Sequence, residues 1–306
     1  MRQPRLIPTM WYRAFGCVGV ALFSFEVFGA GLVFSALEDG HWVAYHQATL
    51  GGEPVRIDPA GGEDQTSARI SAKGDLIAFE TPASEVRVFR KDAASGQWKH
   101  ALTHKSAVRP AWHAGFEDWV YVRFTLSAAG EDSDLWGKGP DRPSADCLVR
   151  QTGNQDYPSV SPDGQRMAYI SAQVVSLRLG AVQVFQQLWV VDFTRAEARQ
   201  VLLEGRAYIE PAWSPDGEQI AVAADRSGEF QIWVVRPDGS GLRQVTQGPG
   251  PITRPAWSPD GQQMLVTIMR EGRHGLALVN VADGSMKPYQ PFPGRPEVEV
   301  RDADWR

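Results

Sequence analysis

The phrase Pro-Ala-Trp-Ser-Pro-Asp-Gly occurs twice in this chain, within Ile209-Glu-Pro-Ala-Trp-Ser-Pro-Asp-Gly217 and within Thr253-Arg-Pro-Ala-Trp-Ser-Pro-Asp-Gly261. A repeat of this kind constrains the fold more than any other sequence signal, because it reports one supersecondary unit copied along the chain. Pro-Ala-Trp supplies an extended segment with a large apolar anchor. Ser-Pro-Asp-Gly supplies a tight turn, in which proline presets φ, aspartate caps its own backbone and glycine accepts a positive φ. The run after it, Glu218 to Ala223, alternates as a strand does. Each unit therefore reads as strand, turn, strand.

Related segments extend this reading in both directions. The turn aspartates Asp163, Asp216 and Asp260 are spaced by 53 and 44 residues, and the longer interval contains an insertion, Val174 to Phe185, that reads as a hairpin extension. Weaker copies open at Ser67-Ala-Arg-Ile70 and at Arg109-Pro-Ala-Trp112, where the turn is reduced to His113-Ala-Gly115. Around them lie strand-forming runs such as Leu32–Ala36, His41–Tyr45, Leu76–Phe79, Trp119–Phe124, Met167–Ile170, Leu188–Asp192, Ile232–Arg236 and Leu276–Asn280, with a short segment near Leu135-Trp136. Four-strand units of about 40 to 45 residues are the signature of β-propeller blades. The unit beginning at Gly31 lacks its first strand, and Arg301-Asp-Ala-Asp-Trp305 supplies a strand of that form. An all-β, six-bladed propeller over residues 31–306 is predicted, with the C-terminal strand completing the first blade. The 30 Gly, 21 Pro and 11 Trp fit many turns with large anchors rather than a helix-rich fold.

Residues 1–30 read separately, as a basic stretch ending at Arg13 followed by an apolar run from Ala14 to Phe25. This is the pattern of a secretory signal cleaved near Gly29 or Ala30, with Met10 as an alternative start. A retained N-terminal anchor is the other reading, although the apolar run is shorter than the roughly 20 residues a membrane span needs. Loss of Cys17 with that segment leaves Cys147 alone, so no intrachain disulfide is expected. The net charge of −5 argues against a nucleic-acid partner.

The repeats from Tyr157 to about Met286 resemble the WD-like propeller repeats of TolB and TolB-related proteins, and the resemblance continues in degenerate form from Gly31 to Thr152. TolB is the periplasmic component of the Tol–Pal envelope system and carries an α/β domain before its propeller. Here only the signal-like segment precedes the first blade. The resemblance implies a bacterial periplasmic or secreted propeller, a monomer without stable membrane insertion once the signal is cleaved, that binds another envelope protein.

No Gly-x-Ser-x-Gly, His-Glu-x-x-His or phosphate-binding loop is present, and no cofactor or metal is expected. The alternative is a carbohydrate-active lyase or hydrolase with a metal in the channel, since some propellers that this chain resembles are pectin-degrading lyases with a histidine-held metal. It would require histidines such as His41, His46, His100, His104 and His113 to converge, which their repeat positions do not predict. Turn residues Asp163, Gly164, Asp216, Gly217, Asp260 and Gly261 read as structural rather than calcium-binding. Trp112, Trp213, Trp257 and Trp305 read as anchors between blades.

Aligning the innermost strands places Ser67, Arg109, Tyr157, Glu210, Arg254 and Asp302 in one column at the strand entrances, ringing one mouth of the channel. The column is polar and varied where the scaffold asks only for a strand. It is the expected partner-binding surface, with solvated rim residues as the plainer reading. On that expectation Arg254→Ala or Glu210→Ala weakens partner binding and leaves the fold intact.

Overall fold

The computed structural model describes residues 31–113, 119–127, 130–138, 145–176, 182–202 and 207–306. The expected signal or anchor segment, residues 1–30, lies outside the described residues. Blade 1 takes β1 (Leu32–Glu38), β2 (His41–Gln47) and β3 (Val55–Arg56), and blade 2 takes β4 (Thr66–Ile70), β5 (Leu76–Thr81), β6 (Glu85–Lys91) and β7 (Trp98–Lys105). Blade 3 is β8 (Val108–Trp112), β9 (Trp119–Ser127), β10 (Gly130–Lys138) and β11 (Asp146–Val149). Blade 4 follows with β12 (Asn154–Val160), β13 (Arg166–Ser176), β14 (Val182–Asp192) and β15 (Glu197–Gln200). Blade 5 is β16 (Tyr208–Trp213), β17 (Ile220–Ala224), β18 (Gln231–Val235) and β19 (Arg243–Gln244). Blade 6 is β20 (Ile252–Trp257), β21 (Gln263–Arg270), β22 (Arg273–Asn280) and β23 (Met286–Tyr289). The last strand, β24 (Val300–Trp305), joins blade 1 beside β1, so the described residues form six antiparallel four-stranded sheets in a ring.

Closure is made in backbone hydrogen bonds. Leu32 faces Trp305 across the β1–β24 ladder, and Gly31 and Arg306 exchange two N–H···O bonds of 3.1 Å. An open ring would leave one blade without its first strand.

The core is six clusters, one between each pair of adjacent blades, because successive residues of a strand point to opposite faces. Leu32, Phe34 and Ala36 pack towards blade 6 with Leu265 and Leu276. Val33 packs towards blade 2 with Ile70 and Phe79. In β17, Ile220 and Val222 join the cluster with blade 4, while Ala221 and Ala223 join the one with blade 6. Both faces of a blade are buried, which is why these strands read as continuous apolar runs rather than alternating ones. The tryptophan anchors are tied as well as buried. The indole N–H of Trp112 donates to the Arg69 carbonyl at 2.9 Å, Trp213 to Ser159 at 3.0 Å and Trp257 to Ala212 at 3.0 Å, each on the innermost strand of the preceding blade.

The three Ser-Pro-Asp-Gly turns are superimposable in their bonding. Ser258 Oγ donates to Asp260 Oδ1 at 2.5 Å and accepts the Gln263 N–H at 2.9 Å, and Asp260 Oδ1 also accepts the Gln262 N–H at 3.0 Å. The same distances recur at Ser214–Asp216 and Ser161–Asp163. Gly164 takes φ +70°, and a Cβ there would lie 2.3 Å from the His113 ring, whose Nε2 is 2.9 Å from the Gly164 carbonyl. His113, which replaces the turn serine in blade 3, thus rests on the turn of blade 4.

One element differs from the sequence pattern, and one agrees with it. The expected short segment near Leu135-Trp136 is the nine-residue β10, paired from Gly130↔Ser127 to Lys138↔Trp119. Its Glu131-Asp-Ser-Asp134 run carries no apolar alternation; it is defined by pairing with β9 and by two side-chain links, Ser133 Oγ donating to the Gln155 carbonyl at 3.1 Å and Arg150 Nε to Asp134 Oδ2 at 3.2 Å. The Val174–Phe185 insertion is a hairpin extension, with β13 and β14 paired as far as Ser176↔Val182.

Deleting residues 301–306 removes the innermost strand of blade 1, including the buried Ala303 and Asp302. A single cooperative loss is expected, about 10 °C or more in Tm, rather than fraying of a tail; an unchanged melting curve would contradict closure by β24. Asp260→Ala should cost about 1–2 kcal/mol through the two lost turn bonds, read by urea denaturation. Those bonds, from Ser258 and then Gln262, hold the Asp260 carboxyl below its ordinary value. Its stabilisation is therefore present above the unfolded carboxyl pKa and lost as pH falls through the lower folded one, so the gap to Asp260→Ala should close in acid.

Candidate functional site

At the entrance of every innermost strand the ladder slips by one residue, between Thr66 and Arg69, Val108 and Ala111, Asp156 and Ser159, Ile209 and Ala212, and Thr253 and Ala256. The sixth slip lies where β24 meets β1. The residue at each slip has a left-handed backbone: Ser67 φ 52°, Arg109 51°, Tyr157 51°, Glu210 55°, Arg254 53° and Asp302 61°. These are the six residues of the predicted column. A β-bulge with a non-glycine residue at positive φ is a strained arrangement that persists only where surrounding contacts hold it.

The contacts are polar and run from blade to blade. A bulge leaves a backbone N–H outside the ladder, and it must find another acceptor. The Ser67 N–H donates to Asp302 Oδ2 (3.3 Å), Arg109 to Glu80 Oε2 (2.8 Å), Arg254 to Glu210 Oε2 (2.9 Å) and Asp302 to Thr267 Oγ1 (3.1 Å). In each case the acceptor belongs to the preceding blade. Tyr157 differs, donating to Asp156 of its own strand at 2.7 Å.

Side chains extend these links into a partial circuit around the mouth. Arg254 Nε lies 3.1 Å from Glu210 Oε1 and 2.8 Å from Asp302 Oδ1, joining blades 5, 6 and 1. Ser67 Oγ donates to Glu80 Oε1 at 3.0 Å. Arg109 Nε reaches Asp156 Oδ1 at 2.6 Å, and its guanidinium stacks 4.0 Å above the Tyr157 ring. Among the described residues no hydrogen bond or ion pair joins Tyr157 to Glu210, so the circuit is open between blades 4 and 5. Burial alone would lower the pKa of Arg254, but Asp302 and Glu210 hold its charge and the net shift is upward.

This geometry changes what the column offers to solvent. Asp302 is 0% and Ser67 2% exposed, so neither presents a surface. Arg254 and Glu210 are latches: removing either strips a partner from a buried charge, at about 3–5 kcal/mol, so the expectation that their alanine variants keep an intact fold does not follow from the structure. Arg109 and Tyr157 remain half-buried and reach the channel. Burial raises the Tyr157 hydroxyl to about 12, which keeps it a hydrogen-bond donor.

Below the mouth the channel holds a cavity of about 60 Å³. Ligand pockets run to about 300–1,000 Å³, so this space suits a few waters or one small group. Two residues beyond the column the innermost strands carry Arg69, Ala111, Ser159, Ala212, Ala256 and Asp304, all of which line the cavity except Ala256, which packs in the cluster between blades 6 and 1. Four are small, and Arg69 and Asp304 stand out. Sequence reading missed this pair, together with Glu80 and Asp156; the second column would have revealed Arg69 and Asp304, whereas Glu80 lies on β5 with no repeat signal.

The histidines do not converge. His100 and His104 lie on β7, the outermost strand of blade 2, where His100 packs on Phe89 and His104 on Tyr121. His46 packs on Trp98, and none of the six lines the cavity. Among the described residues no group of three or more His, Cys, Asp or Glu is placed to hold a metal ion.

Asp156 provides a pH-dependent test of the mouth. Burial pushes its carboxyl up to about 6 against the pull of Arg109 and the Tyr157 N–H, with Glu80 and Glu210 adding to the rise. A folded value above the unfolded one means that the native state takes up a proton as pH falls through about 6, so this group raises stability between pH 7 and 5. Carbon-detected NMR should give a carboxyl midpoint near 6, and Asp156→Asn should flatten the rise in Tm over that interval. A midpoint at the ordinary aspartate value would refute the assignment.

Comparison with known proteins agrees with this architecture. Residues 145–292 match the TolB beta propeller domain. A TolB homolog of Chlorobium luteolum is 31% identical over 162 residues, 52% of this chain and 34% of that protein, so the chain matches about a third of the length of that curated relative. Among solved structures, TolB from Acinetobacter baumannii superposes with a TM-score of 0.70 at 16% identity, covering 90% of this chain and 66% of that one. A putative TolB from Agrobacterium tumefaciens gives 0.62 at 15% identity, covering 89% and 98%. With its repeats, its ring of six blades and these likenesses, the chain is a six-bladed β-propeller similar to that of TolB.

Proposed function

We propose that this chain is a non-enzymatic scaffold of the bacterial cell envelope that holds a partner protein at the channel mouth. The observation that carries the reading is the Arg109–Tyr157 stack beside the open step of the latch circuit. Elsewhere in the column the polar groups are spent on neighbouring blades, whereas the Tyr157 hydroxyl has no hydrogen-bond partner among the described residues. A guanidinium stacked on an aromatic ring offers large contact area with directed donors, and Tyr and Arg are enriched among residues that dominate binding energy. The TolB likeness supports an envelope partner, and the signal-like residues 1–30 support export, with the mature chain periplasmic or secreted and monomeric.

A photo-crosslinking residue in place of Tyr157 tests the reading in cells. It should give a discrete adduct with one envelope protein, absent when the same residue replaces Ser285 on the blade 6 turn. Tyr157→Ala should then weaken that partner by on the order of tenfold, 1–2 kcal/mol, at a temperature where the variant is still folded. No adduct at Tyr157, or an affinity indifferent to Tyr157→Ala, would place binding elsewhere, with the β13–β14 extension as the next surface. N-terminal sequencing of protein recovered from the envelope fraction should begin near residue 30; an intact Met1 or Met10 would contradict export with cleavage.

A further inference from the structure

Four arginines line the channel cavity, Arg69, Arg109, Arg254 and Arg306. Three already have a carboxylate within 4.0 Å: Arg109 has Asp156, Arg254 has Glu210 and Asp302, and Arg306 has Asp304 at 3.7 Å. Arg69 has none among the described residues. The one hydrogen bond of its guanidinium there runs from Nη1 to the adjacent Ala68 carbonyl at 2.9 Å. Asp304, which borders the same cavity, is engaged elsewhere, its Oδ2 accepting the Ile70 N–H at 2.9 Å. Burial lowers the Arg69 pKa, with Asp304 working against the fall, yet a guanidinium stays charged in proteins.

Space surrounds this charge. Ala111, Ser159 and Ala212, at the equivalent positions of other blades, line the same cavity with short side chains. Arg69 sits two strand residues below Ser67, roughly 7 Å beneath the mouth. A cation in a narrow, partly desolvated channel binds an opposite charge more strongly than one at the surface. The planar fork of guanidinium matches a carboxylate in two parallel N–H···O bonds. A dianion fits less well, because Glu210 and Asp304 border the same small space.

We propose that the channel floor is a carboxylate-binding site, in which the guanidinium of Arg69 receives one carboxylate group carried into the channel from outside the chain. That group is either a small free carboxylate or an acidic side chain or chain end of a bound protein. In the second case the proposal rests on the scaffold reading; in the first it stands without it.

The test is an NMR titration of the full chain, with the Arg69 Nε–Hε resonance assigned through bonds in the wild type. Formate, the capped peptide acetyl-Gly-Asp-Gly-amide, its Asn counterpart and sulfate are added at constant ionic strength. A saturable shift at Arg69 with formate or the Asp peptide, absent with the Asn peptide, is expected, and Arg69→Met should weaken binding by roughly tenfold or more. Tighter binding of the Asp peptide identifies a protein-borne carboxylate, and tighter binding of formate a free one. No saturable shift at Arg69, equal affinity in Arg69→Met, or sulfate binding as tightly as formate would overturn the proposal. Should Arg69→Met not fold, the wild-type titration and Arg69→Lys, which keeps the charge and loses the fork, decide it. The Tyr157 crosslink is independent of these outcomes, so failure here leaves the scaffold reading separately testable.

Discussion

Each sheet in this molecule is apolar on both faces, and that single fact dictates the ring. Phe34 and Val33 are consecutive residues buried in different clusters, as are Val222 and Ala221. No blade can bury itself, and every blade needs two neighbours. The β1–β24 ladder meets this demand for blade 1 by joining strands from opposite ends of the described chain. The apolar clusters are non-directional and would tolerate some sliding between blades. The Trp112, Trp213 and Trp257 indole bonds fix the offset, because each ties a cluster's largest side chain to one carbonyl on the neighbouring blade.

The bulges link this framework to the channel. Each innermost strand enters through a left-handed residue, and each such residue releases an N–H that the ladder no longer uses. Polar side chains gather at the mouth partly for that reason. The diversity of the column, with Ser, Arg, Tyr, Glu, Arg and Asp, thus reflects which donor or acceptor the next blade presents as well as anything outside the protein. Asp302 illustrates this: it takes the Ser67 N–H, the Arg254 guanidinium and contact with Arg301 while showing no surface to solvent.

Sequence reading recovered the blade count, the closure and the position of the column because Pro-Ala-Trp-Ser-Pro-Asp-Gly is a local signal whose residue types have local causes. It did not recover the conformation of the column. Arg109, Tyr157 and Glu210 are residue types that normally avoid positive φ, and nothing in their spelling marks a bulge; the strain is imposed by the packing of whole blades. Glu80 was invisible for a similar reason, since it sits on the second strand and reaches the mouth only once β5 has paired with β4. The β10 strand escaped notice because its polar run has no apolar alternation and is held by backbone pairing and by the polar links of Ser133 and Asp134 to neighbouring segments. Arg69 was legible in principle, as the one long cation in a column of Ala, Ser and Asp, but only a second alignment column two residues deeper shows it.

The paired bonds between Gly31 and Arg306 also mean that the chain's path around the ring has no privileged starting place. Residues 31 and 306 lie side by side in register, so the backbone there has the geometry of a hairpin edge. The closure falls inside a blade rather than between blades, where β24 is held by β1. A linker across residues 306 and 31, with a new opening at one of the exposed turns near Asp238 or Asp283, would preserve all six clusters. In this sense the fold is a circular object written in a linear order, and its identity lies in the neighbour relations of its blades rather than in the order in which they are synthesised.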